Sequence, residues 1–273
     1  MKKILITGSS GYIGSHLCKL IENDYEIYGL DIRPPQVEID NFYNIDITKH
    51  FDIEGTVYDA VIHLAALVNV GESERRPIAY YVTNLNGTMN VINRIKTKNF
   101  IFASTGAAQD CKSAYGVSKR AAEDVVRSYT KMAGMDYTIF RFYNVIGTSI
   151  VQPTNPDGLF YKLIEAKTTG EFTINGTDYN TTDGTCVRDY VHVDEICNAL
   201  KLAIEKAANK TECLGHGVGY TVKEMANIFQ RVNDCDFDIK KGPRRDGDIE
   251  YYVLEDVSPY MKQLYTIDDL LRI

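Results

Sequence analysis

Two residues near the middle of the chain, Tyr115 and Lys119, have the types and the spacing of a proton-transfer pair. They stand four positions apart in KSAYGVSKRAAEDVVRSYTKMA, a segment with helical periodicity, so their side chains lie one above the other on one face. Free tyrosine titrates near pH ~10, and a neighbouring positive charge favours its phenolate. Such a pair is common on ordinary helices. Here it follows Ser104-Thr105, which ends a predicted strand ten residues upstream, and this order favours chemistry.

A strand-to-helix turn at the start of the chain, ILITGSSGYIGSHLCKLIE, predicts a dinucleotide site. Gly8 permits a tight turn, Gly11 lets a phosphate approach the backbone, and Gly14 lets the helix pack closely on the strand. The first N–H groups of the helix and its positive dipole end then face the phosphate. A plain strand–helix turn is the alternative.

Asp31 ends the second predicted strand, 20 residues beyond Gly11. Dinucleotide folds place at this point the acid that binds the adenosine ribose. A carboxylate there repels a 2′-phosphate and favours NAD over NADP, although Arg33 is a residue type that NADP sites use. Asp46, predicted to lie in a third strand over 44–47, is a candidate partner for adenine.

Strands and helices alternate up to residue 146, which predicts an α/β fold with a Rossmann-type doubly wound parallel sheet. Glycines and prolines punctuate short segments from residue 147 onward, which predicts a smaller C-terminal substrate-binding lobe. A helical pattern and a strand pattern further along the chain are predicted to belong to the first domain again. The predicted domains are an NAD-binding domain over 1–146 and 186–213, and a second lobe over 147–185 and 214–273.

The composition excludes several classes of function. The net charge of −7 leaves no basic surface for nucleic acid or an anionic membrane. No segment approaches transmembrane length. Six scattered cysteines without a CxxC pair indicate a reducing compartment, so a cytoplasmic protein is predicted, and no metal site is predicted.

The glycine turn, Asp31, the Ser-Thr strand end and the Tyr115–Lys119 pair together resemble the extended short-chain dehydrogenase/reductase family. The segments HLAALVNVGES, YYVTNLNGT and above all GTDYNTTDGTCVRDYVHVDE resemble its UDP-glucose (UDP-galactose) 4-epimerase branch. The likeness runs from residue 1 to about residue 255.

The resemblance implies a set of site residues. Thr105, Tyr115 and Lys119 would be catalytic. The remaining NAD contacts beside the three glycines would be Tyr12, Ile13, Asp31, Asp46, Ile47, Leu64, Ala65, Ala66, Asn84 and Tyr143, together with Tyr115 and Lys119. The lobe over 147–185 and 214–273 would be the nucleotide-sugar-binding lobe. The nucleotide-sugar site would be lined by Thr105, Asn144, Thr173, Asn175, Arg188, Arg245 and Tyr252.

The implied reaction is the interconversion of UDP-glucose and UDP-galactose, or of a related UDP-hexose pair, through a transient 4-keto sugar. The Tyr115 phenolate would take the proton of the sugar 4-hydroxyl, and Thr105 would hydrogen-bond the same oxygen. A homodimer through the helices at 77–97 and 113–134 is implied as well.

Departures from the branch leave alternatives open. The segment between Thr105 and Tyr115 is markedly short, Val68 stands where the branch has a cofactor-binding lysine, and Gly158 replaces an asparagine. A dehydratase would carry an Asp–Glu pair where Gly106-Ala107 stands, which argues against that reaction. A decarboxylase, a reductase or a non-catalytic NAD-binding protein remain as alternatives.

Overall fold

The computed structural model describes residues 1–53, 55–245 and 248–273. Contacts divide the chain into two compact units, Met1–Phe142 with Cys197–Cys213 and Tyr143–Ile196 with Leu214–Ile273. The strands are β1 Lys3–Thr7, β2 Glu26–Asp31, β3 Asn41–Asn44, β4 Ala60–His63, β5 Asn99–Thr105, β6 Asp136–Phe142, β7 Asn144–Ile146, β8 Glu171–Asn175, β9 Val187–His192, β10 Thr211–Leu214, β11 Gly219–Thr221, β12 Asp238–Gly242 and β13 Tyr251–Tyr252. The helices are α1 Tyr12–Ile21, α2 Val70–Arg75, α3 Pro77–Tyr80, α4 Gly87–Arg94, α5 Ala107–Asp110, α6 Ala114–Ala133, α7 Leu159–Thr169, α8 Val193–Glu205, α9 Val222–Val232 and α10 Ile267–Leu271.

The first unit is built on a seven-stranded sheet in the order β10-β6-β5-β4-β1-β2-β3. The pairings of β1 with β2 and β4, of β2 with β3, and of β5 with β4 and β6 are parallel. Ile4, Leu5 and Ile6 of β1 are fully buried, as expected for a central strand covered by helices on both faces. The order reverses at β1 and β4, where β1 has β2 on one side and β4 on the other. This confirms the predicted Rossmann-type doubly wound sheet.

Three predicted elements differ from the observed ones. The third strand is Asn41–Asn44, so Asp46 lies after it and not in it. The predicted strand over 137–144 is two strands, because β6 stays in the large sheet whereas β7 pairs with β9. The helical pattern over 77–97 opens at Pro77 as predicted, but residues 81–86 form a π-helical turn between α3 and α4.

The second unit has two small sheets. Strand β9 pairs with β7, β11 and β13, and β8 pairs with β12. Its core is apolar, and the fully buried or nearly fully buried side chains include Phe160, Leu163 and Phe229. Residues 186–196, which the sequence grouped with the NAD-binding domain, lie in this unit because β9 is the strand that its other strands pair with.

None of the helices in the described ranges is long and apolar enough to cross a membrane.

Candidate active site

The turn between β1 and α1 has no room for a side chain at Gly8 or at Gly14. Gly8 has a φ of +76°, and a Cβ there would lie 2.7 Å from the backbone N of Ala65. A Cβ on Gly14 would lie 2.1 Å from the carbonyl oxygen of Gly8. Gly11 is the N-cap of α1 and carries no capping side chain, which leaves the first N–H groups of the helix for a ligand. The turn therefore has the shape and the donors that suit a pyrophosphate.

Asp31 lies at the end of β2 beside this turn. Its carboxylate accepts hydrogen bonds from the backbone N–H of Ser10 (3.1 Å) and of Arg33 (3.0 Å). The Arg33 Nε lies 3.8 Å from the same carboxylate, and its side chain is 55% exposed. Arg33, the residue that could bind a ribose 2′-phosphate, thus has its side chain oriented toward Asp31. This arrangement fits an acid that binds ribose hydroxyls.

The remaining predicted NAD residues of the first unit differ in their surroundings. Leu64 donates its N–H to Thr7 O (3.0 Å), and Ala65 donates to Thr7 Oγ1 (3.3 Å), which holds the segment 64–66 against the glycine turn. Asp46 accepts hydrogen bonds from the N–H and the hydroxyl of Thr48. Tyr12 and Ile13 open α1. The side chain of Ile47 is buried in the core, where it would contact any Cβ added to Gly87.

Asn84 is buried inside the π-helical turn and bonds to protein groups. Its Oδ1 accepts from Leu67 N–H (2.8 Å), and its Nδ2 donates to Leu67 O (3.0 Å) and to Ser118 Oγ (3.1 Å). Asparagine is a poor helix former, so its presence here is explained by this bonding. Asn84 ties the segment after β4 to helix α6.

Thr105, Tyr115 and Lys119 come together in the first unit. Thr105 ends β5, and Tyr115 and Lys119 are buried on one face of α6. Burial raises the pKa of Tyr115 to about 12, and a hydrogen bond with the Thr105 side chain opposes this rise. Burial lowers the pKa of Lys119 to about 7, and the charge of Glu123 opposes that change. The Lys119 ammonium lies 4.3 Å from the centre of the Phe102 ring.

Sequence reasoning missed Glu123, a fully buried carboxylate one turn after Lys119. It accepts hydrogen bonds from Ser104 Oγ (2.6 Å), from Arg141 Nε (2.8 Å) and from the Arg127 guanidinium (2.7 Å). These donors hold the pKa of Glu123 below its usual value although burial raises it. The sequence feature that could have identified Glu123 is its spacing, because position 123 continues the four-residue interval from 115 to 119.

His63 at the end of β4 is a second missed group. Its ring nitrogens lie 2.6 Å from Thr7 Oγ1 and 3.0 Å from Thr88 Oγ1. Burial, aided by the charge of Lys119, lowers its pKa to about 3, so the ring is neutral. The centre of its ring lies 5.8 Å from the centre of the Phe102 ring.

Apart from Thr105, the predicted substrate residues lie in the second unit, and Tyr143, predicted to contact NAD, lies in this unit as well. The rings of Tyr143 and Tyr252 stack at 4.9 Å, and Asn144 donates to Asp189 O (2.8 Å) from the start of β7. The Arg188 guanidinium is paired with Asp248 at 2.9 Å.

Strand β8 carries Thr173 and Asn175 on one face. With the Asn175 amide turned so that its oxygen faces Arg245, this oxygen accepts from Arg245 at 3.0 and 2.8 Å. Thr173 is exposed on the same strand.

The first unit has the features of a dinucleotide-dependent enzyme of the short-chain dehydrogenase/reductase type. These are a parallel Rossmann-type sheet, a glycine turn that fits a pyrophosphate, and a threonine, tyrosine and lysine set at the carboxyl edge of the strands. Among the residues that the structure describes, no group of three or more His, Cys, Asp or Glu side chains could hold a metal ion.

Comparison with known proteins agrees with this class. The model of the NAD dependent epimerase/dehydratase family matches residues 4–214, and the chain belongs to this family. It is 31% identical over 291 residues to the UDP-glucose 4-epimerase of Lactobacillus helveticus, which covers 93% of this chain and 88% of that protein. It is 30% identical over 283 residues to that of Halalkalibacterium halodurans, with 90% and 84% covered.

Among solved structures, the UDP-glucose 4-epimerase of Thermotoga maritima with UDP-glucose is similar, with a TM-score of 0.85 and 29% identity over 99% of this chain and 96% of that one. The resemblance to the epimerase branch of the extended short-chain dehydrogenase/reductases, the prediction of an epimerase and the choice of NAD are thereby confirmed.

Proposed function

We propose that this enzyme interconverts UDP-glucose and UDP-galactose, or a related UDP-sugar pair, through a transient 4-keto sugar. The observation that supports this most directly is the Thr105, Tyr115 and Lys119 set in the same unit as the glycine turn. The similarity to UDP-glucose 4-epimerases over most of the chain supports the substrate class.

The first unit would hold the cofactor. The glycine turn would bring the pyrophosphate close to the backbone, where the first N–H groups of α1 would donate to it, and Asp31 would accept from the adenosine ribose hydroxyls. NAD, when bound, supplies a hydride acceptor and donor for C4 of the sugar. The segment 64–66, positioned by Thr7 and Asn84, would form one wall of this site.

Tyr115 would act as the general base on the sugar 4-hydroxyl, and Thr105 would hydrogen-bond the same oxygen. A phenol with a pKa of about 12 is almost entirely protonated at neutral pH, so formation of its phenolate needs nearby positive charge. A protonated Lys119 supplies one such charge, and the Glu123 carboxylate favours that protonated form. Residues of this chain would thus carry out the transfer of the 4-hydroxyl proton.

The second unit would bind the nucleotide sugar. Arg188 and Arg245 are suited to the diphosphate because a guanidinium fork matches phosphate oxygens. Asn144, Thr173, Asn175 and Tyr252 would contact the rest of the substrate. The domain assignment made from the sequence, cofactor in the first domain and sugar in the lobe, is part of this proposal.

Two further inferences concern the oligomeric state and the cellular location of the enzyme. We infer a homodimer formed through the helices at 77–97 and 113–134, because apolar side chains on these helices are exposed, with Ile78 at 71% and Met132 at 76%. We infer a cytoplasmic enzyme, because the six cysteines are all free thiols.

The test is to incubate the purified protein with UDP-galactose, with and without added NAD, and to follow the anomeric protons by NMR. Formation of UDP-glucose that is lost in Tyr115→Phe supports the proposal. Conversion only with added NAD would point to weak cofactor binding, with Val68 as the first position to change. No conversion by a protein that binds NAD would overturn it and favour other nucleotide-sugar chemistry, beginning with UDP-glucuronate decarboxylation.

A further inference from the structure

His63, the last residue of β4, is a buried histidine to which the family resemblance assigns no role. Each of its ring nitrogens faces a hydroxyl group: Nδ1 lies 2.6 Å from Thr7 Oγ1, and Nε2 lies 3.0 Å from Thr88 Oγ1. Both threonines are fully buried. The imidazole also lies against two aromatic rings, with centre-to-centre distances of 6.0 Å to Phe100 and 5.8 Å to Phe102.

The hydrogen bonds around His63 determine which of its ring nitrogens carries a proton. The Thr88 hydroxyl donates to the backbone carbonyl oxygen of Asn84 (2.6 Å), and a carbonyl can only accept. Because a hydroxyl has one proton, Thr88 has none left for the imidazole, and His63 Nε2–H must donate to Thr88 Oγ1. Burial keeps the pKa of His63 near 3 and the ring neutral, so Nδ1 has no proton and accepts from Thr7.

The same hydrogen bonds continue into the segment that follows β4. The Thr7 hydroxyl, which donates to His63, also accepts from the backbone N–H of Ala65 (3.3 Å). At the other end, Asn84 holds Leu67 through its side chain, with hydrogen bonds of 2.8 and 3.0 Å. The result is a buried chain in which every donor points the same way, here called the imidazole chain, formed in order by Ala65 N–H, Thr7, His63, Thr88 and Asn84 O.

We propose that His63 is a positioning residue of the NAD site, which as its Nε2–H tautomer holds the segment 65–67 in place beside the glycine turn. This rests on the proposed function, in which the segment 64–66 forms one wall of the cofactor site. The position of Ala65 matters there, because a Cβ on Gly8 would lie only 2.7 Å from Ala65 N. A buried chain of hydrogen bonds with all donors paired is rigid and specific.

The first test is the tautomer itself, measured by NMR of the ¹⁵N-labelled holoenzyme at neutral pH. The ring nitrogens of His63, identified by their absence from His63→Gln, should show a proton on Nε2 and none on Nδ1. This readout needs no turnover and no substrate. A proton on Nδ1 would reverse the direction of the chain and overturn the proposal.

The second test is the affinity of the holoenzyme for NAD, measured by equilibrium dialysis. Thr7→Val keeps the shape of the side chain and removes the hydroxyl that joins His63 to Ala65. We expect NAD affinity to fall about tenfold, as for the loss of one or two buried hydrogen bonds. The affinity for UDP should not change, because the proposed substrate residues apart from Thr105 lie in the second unit.

Thr138→Val is the matched control. Thr138 is a fully buried threonine, the third residue of β6, and its hydroxyl accepts from the backbone N–H of Ala208 (2.8 Å). Both valine variants therefore lose a buried hydroxyl that accepts a backbone N–H, and both should have lower melting temperatures. Only Thr7→Val should bind NAD more weakly, which a merely structural role of the hydroxyl would not produce.

Two substitutions of His63 separate the halves of the imidazole chain. Asparagine can place its amide oxygen near the position of Nδ1 and keep the acceptor for Thr7, whereas glutamine can keep only the donor to Thr88. His63→Asn should therefore retain most of the NAD affinity, and His63→Gln should lose about as much as Thr7→Val. Combining His63→Gln with Thr7→Val should cost no more than either alone, because both remove the same hydrogen bond. If the His63 variants fail to fold, the pair Thr7→Val and Thr138→Val still decides.

The outcomes separate this proposal from the proposed reaction. Equal NAD affinity of Thr7→Val and Thr138→Val would overturn the role of the imidazole chain, and so would an equal loss of NAD and UDP affinity in Thr7→Val. Weaker NAD binding confined to the chain variants, in a protein that epimerises no UDP-sugar, would retain the role of His63 and reject the reaction. No NAD binding by the unmodified protein would overturn both.

Discussion

Tyr115 is subject to two opposing influences, because burial disfavours its phenolate while the Thr105 side chain favours it. Burial is the larger of the two. The same burial brings the pKa of Lys119 to about 7, near the pH at which the enzyme would work. Small changes in the surroundings of this pair therefore change the fraction of active protonation states.

Tyr115→Phe removes the proposed base and only one hydrogen bond, that with Thr105. We expect turnover of UDP-galactose to fall by about 10² to 10⁴-fold, which is typical for loss of a general base, with NAD binding kept. Anomeric-proton NMR gives the rate, and fluorescence quenching on NAD binding gives the control. Turnover within about threefold of the unmodified enzyme would exclude Tyr115 as the base.

The lowered pKa of Lys119 predicts how the free energy of unfolding depends on pH. Its pKa of about 7 lies below the value of 10.5 in an unfolded chain, so between these values the unfolded state binds more protons. The contribution of Lys119 to the free energy of unfolding should therefore rise with pH through this window and level off below pH 7. Urea unfolding measures the free energy of unfolding at pH 7 and at pH 9. Its increase between the two pH values should be smaller in Lys119→Met than in the unmodified protein. Equal gains would contradict the lowered pKa.

At the scale of elements, Glu123 joins the ends of β5 and β6 to helix α6 through Ser104 and Arg141. Breaking a buried ion pair costs about 3–5 kcal/mol because the partner charge stays buried. Glu123→Gln should therefore lower the free energy of unfolding by about this amount. Asp124→Asn, one position away and 64% exposed, is the control and should change it by less than about 1 kcal/mol.

The first turn of α6 is held from outside the helix. The Ser113 side chain accepts a hydrogen bond from Gly116 N–H (3.1 Å). The Glu74 carboxylate on α2 accepts one from Ala114 N–H (2.8 Å). These two hydrogen bonds fix the start of α6 on either side of Tyr115. Losing a helix cap costs about 1 kcal/mol. Glu74→Ala should lower the melting temperature by a few degrees and also lower kcat.

Glu74→Gln keeps an acceptor oxygen at the same place and should restore both quantities. Arg75→Ala on the same short helix is a further control. If Glu74→Ala melted and turned over like Arg75→Ala, the cap would have no role in positioning Tyr115.

The sequence was sufficient for elements with strong periodicity. The glycine turn, the buried strands and the helix carrying Tyr115 and Lys119 were all predicted, because local patterns determine them. The division of 137–144 into β6 and β7 was not, since pairing with β9, more than 40 residues later, decides where the strand changes sheet. The partners of Asn84 and Glu123 were equally hidden, because they lie on other elements.

At the scale of the whole molecule, the proposed homodimer depends on exposed apolar side chains on α3, α4 and α6. Light scattering after size exclusion at micromolar concentration should give twice the chain mass of 30.8 kDa. Met132→Glu should shift the species toward the monomer, because it would bury a charge in the interface. Val257→Glu, which changes an equally apolar residue that is 50% exposed in the second unit, should leave the mass unchanged. A monomer before any substitution would end the proposal.

The seven-stranded sheet has one member, β10, that the chain supplies only after the first segment of the second unit, Tyr143–Ile196, has been made. During synthesis, a nascent chain emerging from the ribosome therefore carries β6 with an unpaired edge until residues 211–214 follow. Such an edge is a template for pairing with other chains. Translational pauses between residues 143 and 210 should therefore lower the yield of native enzyme, and binding of chaperones to the nascent chain should be strongest over this interval.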